Sequence, residues 1–327
     1  MRVLVTGGAG FIGSHYVRTL LQDGYDIDVD EVTVLDKLTY AGNMANLDPV
    51  AHDKRLTFVQ GDICDRVLLG ELVPGHDAAL NFAAETHVDR SILGAPDFVM
   101  TNVVGTQAFL QACLDAGVPR VVQVSTDEVY GSIEEGSWTE ESPLLPNSPY
   151  SAAKAGGDLI TRAYARTHGL NVSITRCSNN YGPYQFPEKV IPLFVTNLLD
   201  GRKVPLYGDG LNVRDWLHVD DHCRGIQIVL EKGAPGEIYN IGGGRELNNK
   251  ELTTILLEAC GADWSSVEYV VDRKAHDRRY SLSHNKIAQL GYEPHMSFED
   301  GIAQTVAWYR DHRDWWEPLK ERAALTG

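Results

Sequence analysis

Arg2-Val3-Leu4-Val5-Thr6-Gly7-Gly8-Ala9-Gly10-Phe11-Ile12-Gly13 decides how this chain is read. The apolar run from Arg2 to Thr6 predicts a buried strand, and Val17, Leu20 and Leu21 continue a helix behind the glycines. A glycine-rich turn between a strand and a helix suits a dinucleotide. The turn needs positive φ, the backbone must approach a pyrophosphate closely, and the helix N-terminus supplies unpaired N–H groups. The glycines fit either G-x-x-G-x-x-G (Gly7, Gly10, Gly13) or G-x-G-x-x-G (Gly8, Gly10, Gly13). Asp36 ends the next apolar run, 23 residues beyond Gly13. A carboxylate there accepts from a ribose 2′-OH and repels a 2′-phosphate, so NAD is expected over NADP, a preference that Lys37 weakens without reversing. Asp62-Ile63 stand in a similar place after the third run; contact with the adenine end and a plain turn aspartate are equally open for Asp62.

Outward from this turn, short apolar runs recur at 32–36, 56–59, 78–82, 121–125, 172–175 and 237–241, with helical stretches between them. Continuous apolar strands alternating with helices predict a parallel sheet covered on both faces, an α/β doubly wound fold of Rossmann type. At ~150 residues per domain, 327 residues suggest about two domains. Gly, Pro and Asn cluster at 179–187 and 205–212, and strands look sparse thereafter. The expected division is a dinucleotide-binding domain over 1–178, with a return of the chain at about 213–242, and a smaller, mainly C-terminal substrate domain over 179–327. Phe298, Ile302, Val306 and Tyr309 mark one face of a late helix, and Trp308, Trp315 and Trp316 read as packing.

The charge sum, 29 − 45 = −16, argues against a nucleic-acid binder or a protein held on anionic lipid. A few local arginines could still seat an anionic small ligand. Five widely spaced cysteines with no C-x-x-C predict neither a disulfide framework nor a cysteine zinc site, and fit a reducing compartment. The apolar stretch before Thr6 is too short for an export signal, and no run approaches the ~18 residues of a membrane span, so a cytoplasmic protein is expected.

Catalytic chemistry is expected where the fifth run ends. Ser125-Thr126-Asp127-Glu128 leaves it, and Tyr150-Ser151-Ala152-Ala153-Lys154 follows a Pro-rich loop. Positions i and i+4 share a helix face, so the Lys154 ammonium can favour the Tyr150 phenolate, a usable base from a group whose free pKa is ~10. Thr126 could hydrogen-bond the same substrate hydroxyl.

Thr6–Gly13, Thr126 and Tyr150–Lys154 together resemble the extended short-chain dehydrogenase/reductases that act on nucleotide sugars. Within that superfamily, A-A-E-T-H-V-D-R-S (83–91), S-T-D-E-V-Y-G (125–131), C-S-N-N-Y-G-P-Y (177–184) and H-D-R-R-Y (276–280) are similar to the dehydratase family acting on dTDP-glucose. The resemblance implies an NAD-dependent hydro-lyase forming a 4-keto-6-deoxy sugar and water. It implies NAD contacts at Gly7, Gly10, Phe11, Ile12, Gly13, Asp36, Lys37, Thr39, Asp62, Ile63, Ala83, Ala84, Thr101, Tyr150, Lys154 and Asn180. Substrate contacts are implied at Thr86, Thr126, Asp127, Glu128, Asn179, Lys189, Pro205, Tyr207, Arg214, Asn249, Arg273, His276 and Tyr280. Of these, residue chemistry alone supports the arginines, whose planar fork suits phosphate.

The adjacent Asp127 and Glu128 separate a dehydratase from an epimerase. Elimination needs one group to take the C5 proton and another to protonate the departing C6 hydroxyl, and unlike environments can split two carboxyl pKa values. The implied sequence has Tyr150 deprotonate the 4-OH as C4 is oxidised, Glu128 take the C5 proton, Asp127 protonate the C6 hydroxyl, and hydride return to C6. A homodimer packing the helices near 101–116 and 151–167 into a four-helix bundle is also implied; their stripes (Val103, Phe109, Leu110, Leu114; Leu159, Ile160, Ala163) could equally face the sheet. His218 and His222 have metal-ligand spacing, but no third ligand is evident and no metal is expected. Other readings are a related nucleotide-sugar dehydratase, epimerase or decarboxylase, or a silent NAD-binding protein, for which Thr126, Tyr150 and Lys154 would have no use.

Overall fold

The computed structural model describes residues 1–273 and 276–325; the last two residues of the expected second domain lie outside it. Twelve strands occur among the described residues: β1 (Arg2–Thr6), β2 (Glu31–Asp36), β3 (Leu56–Gln60), β4 (Ala78–Asn81), β5 (Arg120–Thr126), β6 (Val172–Cys177), β7 (Asn179–Tyr181), β8 (Val204–Tyr207), β9 (Val213–His218), β10 (Ile238–Ile241), β11 (Glu246–Asn248) and β12 (Val267–Val270). Seven form a parallel sheet in the order β10-β6-β5-β4-β1-β2-β3. The order reverses between β1 and β4, which opens a crevice beyond the carboxyl end of β1, the usual ligand position in such sheets.

Alternation along β1 divides its core. Val3 and Val5 join one apolar cluster with Tyr16, Val17, Ile226 and Val229, while Leu4 joins another with Leu35, Phe109, Leu110 and Leu170. Both faces of the sheet are therefore buried, as the unbroken apolar runs require.

The second half holds more strand than its composition suggests. β7 and β11 flank β9 in one small sheet, and β8 pairs with β12 in another. Asn179-Asn180-Tyr181 and Glu246-Leu247-Asn248 are three-residue strands, too short to show an alternating pattern. These sheets pack with the late helices around Tyr181, Phe194, Trp216, Leu256 and Trp316. Phe298, Ile302, Val306 and Tyr309 are all buried there, and Trp316 is wholly enclosed, in keeping with the periodicity.

Two local devices position the site. Helix Pro149–His168 starts in a reciprocal cap between Ser148 and Ser151, with proline in its first turn, and ends on left-handed Gly169. Tyr150 and Lys154 thus sit on its well-fixed N-terminal turns. The helix expected near 101–116 instead begins with a π-helical turn, Met100–Gly105, before the regular helix Thr106–Ala116. Gly157 lets the two segments approach, since a Cβ there would lie 2.6 Å from the Asn102 carbonyl oxygen. No helix among the described residues is long and apolar enough to cross a membrane.

Candidate active site

Two clefts meet at the carboxyl edge of the main sheet. The first is lined by the glycine turn, Asp36, Lys37, Thr39, Asp62, Ile63, Ala83, Ala84, Thr101, Tyr150, Lys154 and Asn180, so every residue expected to hold NAD faces one space. The second is lined by Asn179, Lys189, Pro205, Tyr207, Arg214, Asn249, Arg273, His276 and Tyr280. Thr86, Thr126 and Asp127 lie on the first cleft instead. Glu128, Asn179, Asn180, Gln185, Glu188 and Lys189 line both, which makes them the wall where the clefts join.

The first cleft fits a dinucleotide. Gly7 has φ +71°, and a Cβ on it would lie 2.5 Å from the Ala83 nitrogen; one on Gly13 would lie 2.3 Å from the Gly7 carbonyl oxygen. Gly8 packs against Val34 and does not line the cleft, so the cleft-facing glycines of the turn are Gly7, Gly10 and Gly13. Helix Phe11–Leu21 has no side-chain cap and no acidic residue in its first turn, which leaves its N–H groups for an anion. Asp36 caps the backbone around it, its carboxylate accepting from the Ala9 and Leu38 amides at 2.9 and 2.8 Å, and it also faces the cleft. Lys37 is paired with Asp62 at 2.8 Å, which draws its charge away from the ribose position.

At the junction, β5 ends in Thr126, whose Oγ1 donates to Asp127 (3.3 Å) and accepts from the Glu128 amide (3.3 Å). The neighbouring carboxyls lie in unlike surroundings. Burial, then the charges of Glu128 and Asp215, push Asp127 well above the usual carboxylate range. Burial also raises Glu128, but Lys189, Arg273 and Arg214 oppose it. Both carboxyls are raised, Asp127 more strongly, because the cations facing Glu128 limit its rise.

The structure corrects the expected activation of Tyr150. Lys154 is buried and its Nζ donates to the Val124 carbonyl at 2.7 Å. Burial, then the charges of Glu128, Cys177 and Asp127, raise the Tyr150 phenol well above 10. Residue spacing alone suggested a phenolate; burial and two nearby carboxyls outweigh that in the free protein.

In the second cleft, Arg214 is pinned by the Val213 and Asp277 carbonyls at 2.7 and 2.9 Å, with its guanidinium 4.1 Å from the centre of the Tyr280 ring. Arg273 Nε, Asn179 Oδ1 and His87 Nδ1 are buried without a partner among the described residues. Such atoms are costly unless a ligand completes them, so the cleft is built for a polar occupant.

Sequence reasoning passed over several lining residues. Glu188 accepts from Tyr40 Oη at 2.9 Å and pairs with Arg90 at 3.2 Å, with the Arg90 guanidinium 3.8 Å from the centre of the Tyr40 ring. His87 carries φ +82°, strained for a non-glycine residue, and lines the second cleft. The charged Glu188-Lys189 pair inside a proline-rich loop was the available signal for the first. For His87 there was none outside the motif 83–91.

Residues 4–305 match the family model described as GDP-mannose 4,6 dehydratase. The chain is 58% identical over its full length to the dTDP-glucose 4,6-dehydratase of Streptomyces niveus, covering 98% of that protein. It is 60% identical to that of Streptomyces antibioticus, over 99% of this chain and 97% of the relative. The solved dTDP-glucose 4,6-dehydratase DesIV of Streptomyces venezuelae, with NAD and dTDP bound, superposes with a TM-score of 0.97 at 68% identity, covering 98% of this chain and all of that one.

Proposed function

The chain belongs to the GDP-mannose 4,6-dehydratase family, and from that premise we infer that it is an NAD-dependent hydro-lyase converting dTDP-glucose to dTDP-4-keto-6-deoxyglucose and water. The observation that carries this reading is the split carboxyl pair, Asp127 and Glu128, on the wall where the clefts meet. A 4-epimerase has no step that requires such a pair.

Residues 1–178, joined by the returning strand β10, form the cofactor half, and most of 179–327 the sugar-nucleotide half. The glycine turn, Asp36 and the residues lining the first cleft would hold NAD, which when bound would supply the hydride acceptor for sugar C4 and the hydride donor for C6. The chain's own groups move the protons. Tyr150 takes the proton of the 4-hydroxyl, and Thr126 Oγ1, one strand-end away, orients that hydroxyl. Burial raises the phenol pKa in the free protein, so Tyr150 acts as a base once its proton has passed to solvent on ligand binding. Once C4 is a ketone the C5 proton is acidic; Glu128 removes it while Asp127 donates its proton to the C6 hydroxyl, which leaves as water, and Glu128 returns a proton to C5 as C6 is reduced. Each such positioned acid or base contributes about 10²–10⁴-fold. Arg214 and Arg273 hold the substrate diphosphate, and Tyr207, Asn249 and His276 lie at the nucleoside end.

Leu159 (55% exposed), Met100 and Val99 leave an apolar strip along the helices at 95–105 and 149–168, which supports the expected homodimer through a four-helix bundle. Of the expected stripe, Phe109, Leu110, Leu114 and Ile160 pack in the sheet-side cluster instead. Five free cysteines fit a reducing, cytoplasmic setting.

The test is to incubate the purified protein with dTDP-glucose and follow product mass and net NADH together. Loss of one water with no net NADH is the expected result. A product of unchanged mass would mean epimerisation and would overturn the assignment of the carboxyl pair.

A further inference from the structure

His218 and His222 are spaced like metal ligands, yet they serve different partners. His218 Nδ1 accepts from the Asp220 amide and caps its own helix. His222, fully buried in the first turn of helix Val219–Lys232, lies 2.9 Å through Nδ1 from Asn180 Oδ1. The Asn180 amide can face only one way. Its Nδ2 donates to the Ser178 carbonyl at 3.0 Å, and a carbonyl cannot donate in return, so Oδ1 is the atom turned toward His222. His222 Nδ1 must then carry the proton. Its Nε2 has no partner among the described residues, and burial, then His15, push the ring pKa down to about 3. The imidazole is thus a fixed, neutral, one-proton donor. Gln185 Nε2 holds the Asn180 carbonyl at 2.9 Å, which anchors the same residue from its backbone.

We propose that His222 is a positioning residue for the redox steps: its Nδ1–H locks the polarity of the Asn180 amide on the wall shared by the two clefts. One N–H and one lone pair of that amide are then presented to the nicotinamide end of the cofactor in a constant sense. Without His222 only the Ser178 carbonyl holds the amide and Oδ1 loses its donor, so the amide rocks about that single contact and the cofactor ring loses a well-fixed directional contact beside Tyr150 and Lys154. The inference rests on the reading of Asn180 as a cofactor contact.

The experiment is a double-mutant cycle with NAD binding and single-turnover reduction of bound NAD by dTDP-glucose as readouts. His222→Leu should weaken NAD and slow reduction by about five- to tenfold each, the worth of one net hydrogen bond, with KM for dTDP-glucose nearly unchanged. Asn180→Ala should show the same loss, and the double variant no more than either single one. His222→Asn, whose amide nitrogen can take the place of Nδ1, should recover most of both. A core-packing role would instead give additive losses and no recovery, and either result overturns the proposal. Impairment in Asn180→Ala with normal behaviour in His222→Leu sinks it alone. Full NAD affinity and full rate in Asn180→Ala would remove the reading of Asn180 and this proposal with it.

Discussion

On the proposed reading the molecule holds two diphosphates, one in each cleft, and holds them by different physics. The cofactor half uses main chain: a glycine turn, close packing at Gly7 and Gly13, and the uncapped N-terminus of helix Phe11–Leu21. The sugar half uses side chains, Arg214 and Arg273 with Lys189 at the junction. Amides in a turn are fixed as the chain folds and bring no charge to be desolvated. Guanidiniums bring full charge and a planar fork, but must be held in place by other groups, as Arg214 is by two carbonyls and the Tyr280 ring. The sugar-side cations also hold Glu128 toward its anion, a task backbone amides at the far cleft could not perform.

The junction is where the comparison breaks most sharply. Glu128→Gln should lower turnover by about 10²–10⁴-fold while leaving both binding halves intact. Because only the elimination base is lost, a single turnover should end with reduced cofactor accumulating on the enzyme, seen as persistent nicotinamide absorbance. Normal turnover would remove Glu128 from the mechanism.

Next in size is a double dissociation between the halves. Gly13→Ala places a Cβ where the Gly7 carbonyl stands, and overpacking of about 1–3 kcal/mol should weaken NAD some five- to 150-fold. Its effect on dTDP affinity should be slight. Arg214→Met removes charged hydrogen bonds worth about 1.5–3 kcal/mol, so dTDP should weaken by roughly ten- to 150-fold with NAD little changed. Equilibrium binding of each ligand to each variant measures all four numbers. Equal losses of both ligands in both variants would mean that the halves do not bind separately.

A smaller effect links the halves through protonation. Glu128 must be an anion to act, so the elimination rate falls as pH drops through its raised pKa. Asp127 must keep its proton, so the rate falls again as pH rises through its own, higher pKa. Arg273→Met removes one of the charges opposing the rise at Glu128, and should move the acid limb to higher pH while leaving the alkaline limb nearly in place. A pH profile of single-turnover elimination separates the two limbs. An acid limb that stays put would mean that Arg273 serves binding alone.

The same contrast explains what could be read from the chain. A site made of main chain needs glycines at set spacings, so Gly7, Gly10, Gly13 and the strands around them are visible in sequence, as is the placement of Tyr150 and Lys154 one helical turn apart on the same helix. What burial does is not visible. The lift of the Tyr150 phenol and the seat of Lys154 on Val124 depend on how β5 and helix Pro149–His168 close on each other. A site made of side chains leaves little local trace. Lys189, Arg214 and Arg273 come from three separate segments and were reached mainly through likeness to a family, while the Tyr40–Glu188–Arg90 contacts, which tie two loops and a short helix distant in sequence, had no pattern to announce them.

Salt provides the mildest test. At about 0.1 M ionic strength the screening length is near 10 Å, so attraction between free charges falls steadily as salt rises further, whereas short contacts to buried amides are little affected. If the sugar half works through arginines and the cofactor half through amides, dTDP affinity should fall severalfold between low and high salt while NAD affinity changes little. Lys37, beside Asp36 on the first cleft, is already paired with Asp62 at 2.8 Å, so it should add little salt dependence there. Titrating each ligand over a salt series gives two slopes for comparison. Parallel slopes would show that long-range charge, not the local choice between amide and guanidinium, governs both sites.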